Sequence, residues 1–331
     1  MTRLAALAAL LLASGLLAAQ ETFRPRAVRA PDGRAVVFHH VARDSGAAVA
    51  LGRIAAGHLP APLAGAELPP DSIDVVLAPG ENSFRELTGG RVPDWGLAVA
   101  FPDRRRVVLR SPRLTGSEDV EPGIVLRHEL NHVYLALGAG GSGAVPRWFN
   151  EGFAALYAGE WRWVDPVRLA WGRITGRLTP LPALERSFPA APAPAAAYVQ
   201  SMAAVRNLQR RGGDRGVGQL LARVRGGATF DGALRETYGL TLSEFYADWE
   251  EEMGREFGWG VVLTDERGLW IAAALLVLFG WMVRRRALRR EIERRKARED
   301  ASLGPPEDHS LDVEEWERTW EHDDEEWRGE E

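Results

Sequence analysis

The sequence predicts an α+β fold, on three observations. Short apolar runs of β character, separated by turn residues, fill the first third of the chain after its N-terminal stretch. From Glu121 to about Gly254 the pattern turns helical and stays so. Two uncharged stretches, one near each end, have no polar face and stand apart from both halves.

The elements follow in order. Leu4 to Leu17 come after Arg3 and before the small residues Ala18 and Ala19, the profile of an export signal over residues 1–20. Arg34 to His39 reads as a strand. Ser45 to Ala56 has helical spacing, with Val49, Leu51 and Ile54 apolar and Gly57 as a stop. Ser72 to Ala78 reads as a second strand, and Asn82 to Leu87 as a helical turn closed by Gly89 and Gly90. Trp95 to Phe101 and Arg106 to Arg110 form a hairpin across a Pro102-Asp103 turn.

Pro122 suits the first turn of a helix whose apolar residues run from Ile124 to Leu137. Gly138 to Gly143 is a linker; no strand precedes it and no Gly-Lys-Ser/Thr follows, so it is not a phosphate loop. Pro146 opens a second helix, to about Trp161. Pro180 to Pro194 reads as a loop. Helices at about Ala195–Arg211, Val217–Val224, Phe230–Tyr238 and Leu242–Met253 complete a domain spanning residues 21–256.

The second uncharged stretch, Gly268 to Val283, has Trp270 and Trp281 near its ends and Arg284, Arg285 and Arg286 directly after it. It is short against the ~20 residues of a spanning helix, but snorkelling arginines extend a short span. One C-terminal transmembrane helix over 268–283 is expected. The basic segment Arg284 to Arg298 belongs on the cytoplasmic side. That gives a single-pass protein of the cell membrane, its domain extracytoplasmic and residues 284–331 an inner tail. The arginine run is read as a topology signal facing anionic lipid, and nucleic acid is not an expected partner. The acidic end of the tail carries Trp316 and Trp320 four residues apart, which offers an apolar face to a cytoplasmic protein partner.

The 331 residues include seven histidines and no cysteine. Disulfides, zinc fingers, iron–sulfur clusters and thiol catalysis are thereby excluded, and histidine and carboxylate remain as metal ligands. Within the first long helix stands His128-Glu129-Leu130-Asn131-His132. Residues four apart share one helix face, so both imidazoles can reach one ion. Glu129 lies about 100° around the helix, where a carboxylate can reach a water on that ion without ligating it. The other histidines, His39, His40, His58, His309 and His322, show no ligand spacing. Asn131, polar within an apolar helix, needs a partner.

Eighteen residues separate His132 from Glu151, in the run Arg147-Trp148-Phe149-Asn150-Glu151-Gly152-Phe153-Ala154. HELNH, that spacing and WFNEGFA together resemble the gluzincin zinc peptidases, with wording similar to aminopeptidase N-type enzymes. Tyr198 to Leu208 and Asp231 to Met253 are similar to the smaller peptidase MA-like family. The resemblance implies a zincin-like fold, a small mixed sheet packed on the HExxH helix with a mostly helical C-terminal half. It implies one Zn2+ ion held by His128, His132 and Glu151, with Glu129 as general base. It also implies that Tyr198 steadies the oxyanion, and that a protein or peptide substrate adds as a strand along Gly96 to Val99. A Gly-Ala-Met-Glu-Asn segment of the aminopeptidase type is missing, which favours an endopeptidase. The alternative is a silent binding scaffold of the same fold, for which an intact Glu129 has no use. An intramembrane protease is excluded because HELNH lies far from the apolar run.

Overall fold

A computed structural model describes residues 22–90, 96–114, 121–187, 195–256 and, apart from 275, 273–289. The chain divides into two compact units, Met1–Val261 and Val262–Glu331. The first is a mixed α+β unit whose strands precede most of its helices.

Five strands form one sheet: β1 (Arg24–Arg29), β2 (Ala35–His40), β3 (Ile73–Ala78), β4 (Ala98–Phe101) and β5 (Arg106–Arg110). Their spatial order is β1-β2-β3-β5-β4. The central pairs β2–β3 and β3–β5 are parallel, and the outer pairs β1–β2 and β4–β5 antiparallel. The expected hairpin forms, pairing Val99 with Val108 around a 3-10 turn at Pro102–Arg104. Parallel β3 is buried on both faces, as a sheet centre between two layers requires. Val75 and Leu77 face the main core, while Val76 and Ala78 face a smaller cluster with Phe84 and Val108.

Helix α1 (Ser45–Ala56) packs on β1 and β2, and α2 (Glu81–Thr88) covers the other face at β3 and β5. The HELNH helix, α3 (Pro122–Ala139), lies beside β4 and β5. Next come α4 (Arg147–Ala158), α5 (Asp165–Ile174), α6 (Leu181–Ser187), α7 (Ala195–Arg225), α8 (Phe230–Tyr238) and α9 (Leu242–Glu256). Three departures from the sequence reading are clear. Strand β1 was not expected, nor was α5, and α6 occupies part of the segment expected as a loop; the expected pair of helices meets within α7 at a kink at Gly213 (φ 65°, ψ −175°).

Helix α4 is the hub, packed between α3 and α7. Trp148, Phe149 and Phe153 are fully buried on it. Trp148 stacks on Phe245 at 5.6 Å, and its Nε1 donates to Tyr246 Oη at 3.1 Å. Gly152 sets how near α7 can come, since a Cβ there would stand 2.2 Å from the Ser201 carbonyl oxygen. Arg127 Nε on α3 donates to the last carbonyl of α4, Ala158 O, at 2.9 Å.

In the second unit residues 276–289 are helical, and the apolar side chains of 276–283 are exposed. Among the described residues no helix is long and apolar enough to cross a membrane. Residues 268–272 of the expected span, the expected signal over 1–20 and the tail from 290 lie outside the described residues.

Gly152→Ala provides a test of the α4–α7 approach. Alanine in an unconstrained helix is favoured by ~1 kcal/mol; here the expected result is a loss of roughly 1–3 kcal/mol from overpacking, read in a denaturant melt.

Candidate metal centre

The site forms where α3 passes α4. One turn of α3 sets the rings of His128 and His132 side by side, centroids 4.8 Å apart. Glu151 faces them from α4, its Oε2 lying 3.9 Å from each Nε2. The three ligand atoms lie within 4.8 Å of one another, and they are the one such group of histidine and carboxylate side chains found among the described residues.

Each ring is held from behind. His128 Nδ1–H donates to Glu160 Oε1 at 2.6 Å, and His132 Nδ1–H to Asn150 Oδ1 at 2.5 Å. With the Nδ1 protons committed, the lone pair of each neutral ring is on Nε2, turned towards Glu151. The donor set fits a tetrahedral ion. Bonds of 2.0–2.1 Å would put ligand atoms about 3.4 Å apart, and the two Glu151–histidine separations of 3.9 Å exceed that by about half an ångström.

Neither Glu160 nor Asn150 stands out in the sequence. Asn150 is the neighbour of a ligand inside a helix, distinguished by nothing local. Glu160 follows Gly159, whose left-handed conformation (φ 86°) ends α4. Glu160 N donates to Ala155 O and Gly159 N to Leu156 O, the Schellman pattern, which turns the Glu160 carboxylate back towards α3. The signal was available in Gly159 itself, but reading the helix on to Trp161 hid it.

Asn131 finds the partners that its burial demands. Its Nδ2 donates to Ala154 O on α4 at 2.9 Å, and its Oδ1 accepts from His58 Nε2 at 2.7 Å. His58 is therefore a structural residue that ties the end of α1 to the HELNH helix. Burial lowers its pKa, against the Asn131 hydrogen bond, and keeps it neutral.

Burial also disfavours a charged His128, but the Glu160 hydrogen bond and the charges of Glu160, Glu129 and Glu151 outweigh it and push the pKa up to about 9. Tyr198, on the first turn of α7, meets His128 edge-on with centroids 6.5 Å apart. Burial, then the negative charges of Glu151, Glu129 and Glu160, raise its pKa and keep it a neutral phenol. Glu129, half-buried on α3, acts electrostatically on both His128 and Tyr198. The five residues singled out in the sequence are thus brought together. The edge strand β4, which carries Val99, also packs beside α3.

No family model matches the chain, and no curated protein matches it in sequence.

A pH dependence follows for the metal-stripped protein. The folded pKa of His128 lies above the ordinary value of about 6.5, so its proton stabilises the fold fully below that pH. The contribution is lost as pH rises through about 9. Melts of chelator-treated protein should fall in midpoint across this window, while affinity for a dication rises across it, because cation and proton compete for Nε2. Glu160→Gln should flatten both trends and weaken cation binding roughly 10–100-fold.

Proposed function

We propose that this chain is a zinc-dependent metallopeptidase of the gluzincin type, with a zincin-like catalytic domain anchored at the cell membrane. The observation that carries this reading is the convergence of two Nε2 atoms and one carboxylate oxygen, each ring held by its Nδ1. His128, His132 and Glu151 would hold the ion. A bound zinc supplies an acidified water and a counter-charge for the oxygen that becomes negative.

The chain's own groups do the rest. Glu129 takes the proton from the attacking water at a carboxylate oxygen as the water's oxygen adds to the peptide carbonyl. It returns that proton to the leaving nitrogen when the C–N bond breaks. Tyr198, kept as a phenol, donates its Oη proton as a hydrogen bond to the carbonyl oxygen while charge builds there. Among the described residues strand β4 has β5 on one side and no further strand of the sheet on the other. Its free edge suits an extended peptide, bound by main-chain hydrogen bonds. Such binding needs no free terminus, which favours cleavage within a chain. The uncharged run at 268–283, followed by arginines, is the proposed anchor, with the domain extracytoplasmic and the tail cytoplasmic.

The test is metal content and cleavage of casein or a peptide library by the full chain in detergent. Glu129→Gln should retain the cation and lose at least about 10²-fold in turnover, whereas Glu151→Ala should lose the cation. Cleavage undiminished in Glu129→Gln would remove the proposed base. A bound cation with no cleavage by either protein would favour the binding-scaffold reading.

A further inference from the structure

Immediately beyond Glu160 the chain displays an apolar stripe that the catalytic reading does not use. Trp163, Val167 and Trp171 recur every four residues, from the turn before α5 along the helix, and are 85%, 49% and 62% exposed. They are not the face by which α5 packs. That face is Leu169 and Gly172, both buried, with a Cβ on Gly172 meeting Leu178 at 2.5 Å. The helix is therefore apolar on two sides, one satisfied by the core and the other open. An open apolar side of this kind is a candidate docking surface.

The charges beside the stripe identify the partner's chemistry. Arg162, Arg168, Arg173 and Arg177 are all exposed along the same segment. Its single acid, Asp165, is buried and turned inward, accepting from Arg162 N at 2.7 Å and from Arg168 Nη1 at 3.1 Å. That inward carboxylate fixes the turn that presents Trp163. Tryptophan beside arginine on one amphipathic helix suits a bilayer interface, where the indole lies at headgroup depth and guanidinium meets phosphate. A second copy of this face would set arginine against arginine, which opposes self-association. The same chain also carries an exposed apolar helical run at 276–283 with Arg284, Arg285 and Arg286 behind it.

We infer that the Trp163–Val167–Trp171 face of α5 docks into the headgroup region of an anionic lipid bilayer. The surface works independently of any anchor and of any catalysis. Its position next to Glu160 has one consequence for the proposed peptidase: the site would be held at the membrane surface, favouring substrates presented there.

The chain has no cysteine, so Val167→Cys accepts a single environment-sensitive fluorophore, and Glu86→Cys on exposed α2 serves as control. The labelled full chains are reconstituted into phosphatidylcholine vesicles with and without phosphatidylglycerol, carrying nitroxide-labelled lipid as quencher. The expected result is loss of most emission at position 167 in anionic vesicles, little loss in neutral ones, and none at position 86. Reversing Arg162, Arg173 and Arg177 to Glu should weaken the effect by about fivefold or more per arginine, and salt should weaken it as well. No quenching at 167 in anionic vesicles, or equal quenching at both positions, would overturn the inference. So would shielding at 167 that grows with protein concentration in detergent without lipid, since that identifies a second copy as the occupant. None of these readings uses peptidase activity, so failure here leaves the proposed reaction untouched, and an inactive protein leaves this test intact.

Discussion

The geometry of the His128–His132–Glu151 group rests on how closely two helices approach. At Gly152 the backbone of α4 lies against the Ser201 carbonyl of α7, with no room for a methyl group between them. The contact fixes the height and rotation of α4, and Glu151 is the preceding residue. On the other side Asn131 and Arg127 bind α4 carbonyls from α3, so the histidine helix is referenced to the same axis. The mutual placement of His128, His132 and Glu151 is thus set mainly by backbone contacts and buried packing, including Trp148 and Phe153, rather than by bonds among the three groups. A group held this way does not depend on contacts among its own three members for its placement.

The same logic explains what could be read in advance. Strands β2, β3 and β5 and helices α1, α3, α4 and α8 are legible because burial imposes a period on their apolar residues. Strand β1 is not: RPRAVR is an exposed edge carrying three arginines and a proline, which protects the edge and erases the pattern. Helix α7 was expected to break across Arg211 to Gly216, where Gly212, Gly213 and Gly216 cluster. The chain kinks within that segment, and packing decides at which glycine. Gly212 and Gly216 make room for the Tyr238 ring, and only Gly213 leaves helical geometry. At the site, spacing along one helix revealed the two histidines, and resemblance supplied Glu151 and Tyr198. Glu160 and Asn150 were missed because their role exists only between helices. Nothing in the segment of Asn150 marks a residue that grips a ring on another element, and for Glu160 the only local mark is the helix-ending Gly159.

The distances bear on whether this group is a cation site or an ordinary network of ion pairs. In an ion-pair network the Glu151 carboxylate would settle within hydrogen-bond reach of one imidazole, as Glu160 does at 2.6 Å. Instead its Oε2 stands 3.9 Å from both Nε2 atoms, too far to bond either and equally far from each. One nitrogen of each ring, Nδ1, is bonded on the far side, leaving Nε2 on the near side towards Glu151. Electrostatics agree with geometry. In the absence of an ion, a proton on His128 is all that the Glu160, Glu129 and Glu151 charges can recruit at that ring, and they hold it to about pH 9. A dication displacing that proton brings twice its charge to the same carboxylates. Two near sides that face each other without bonding, in a field that holds a proton so firmly, form a group that could hold a cation.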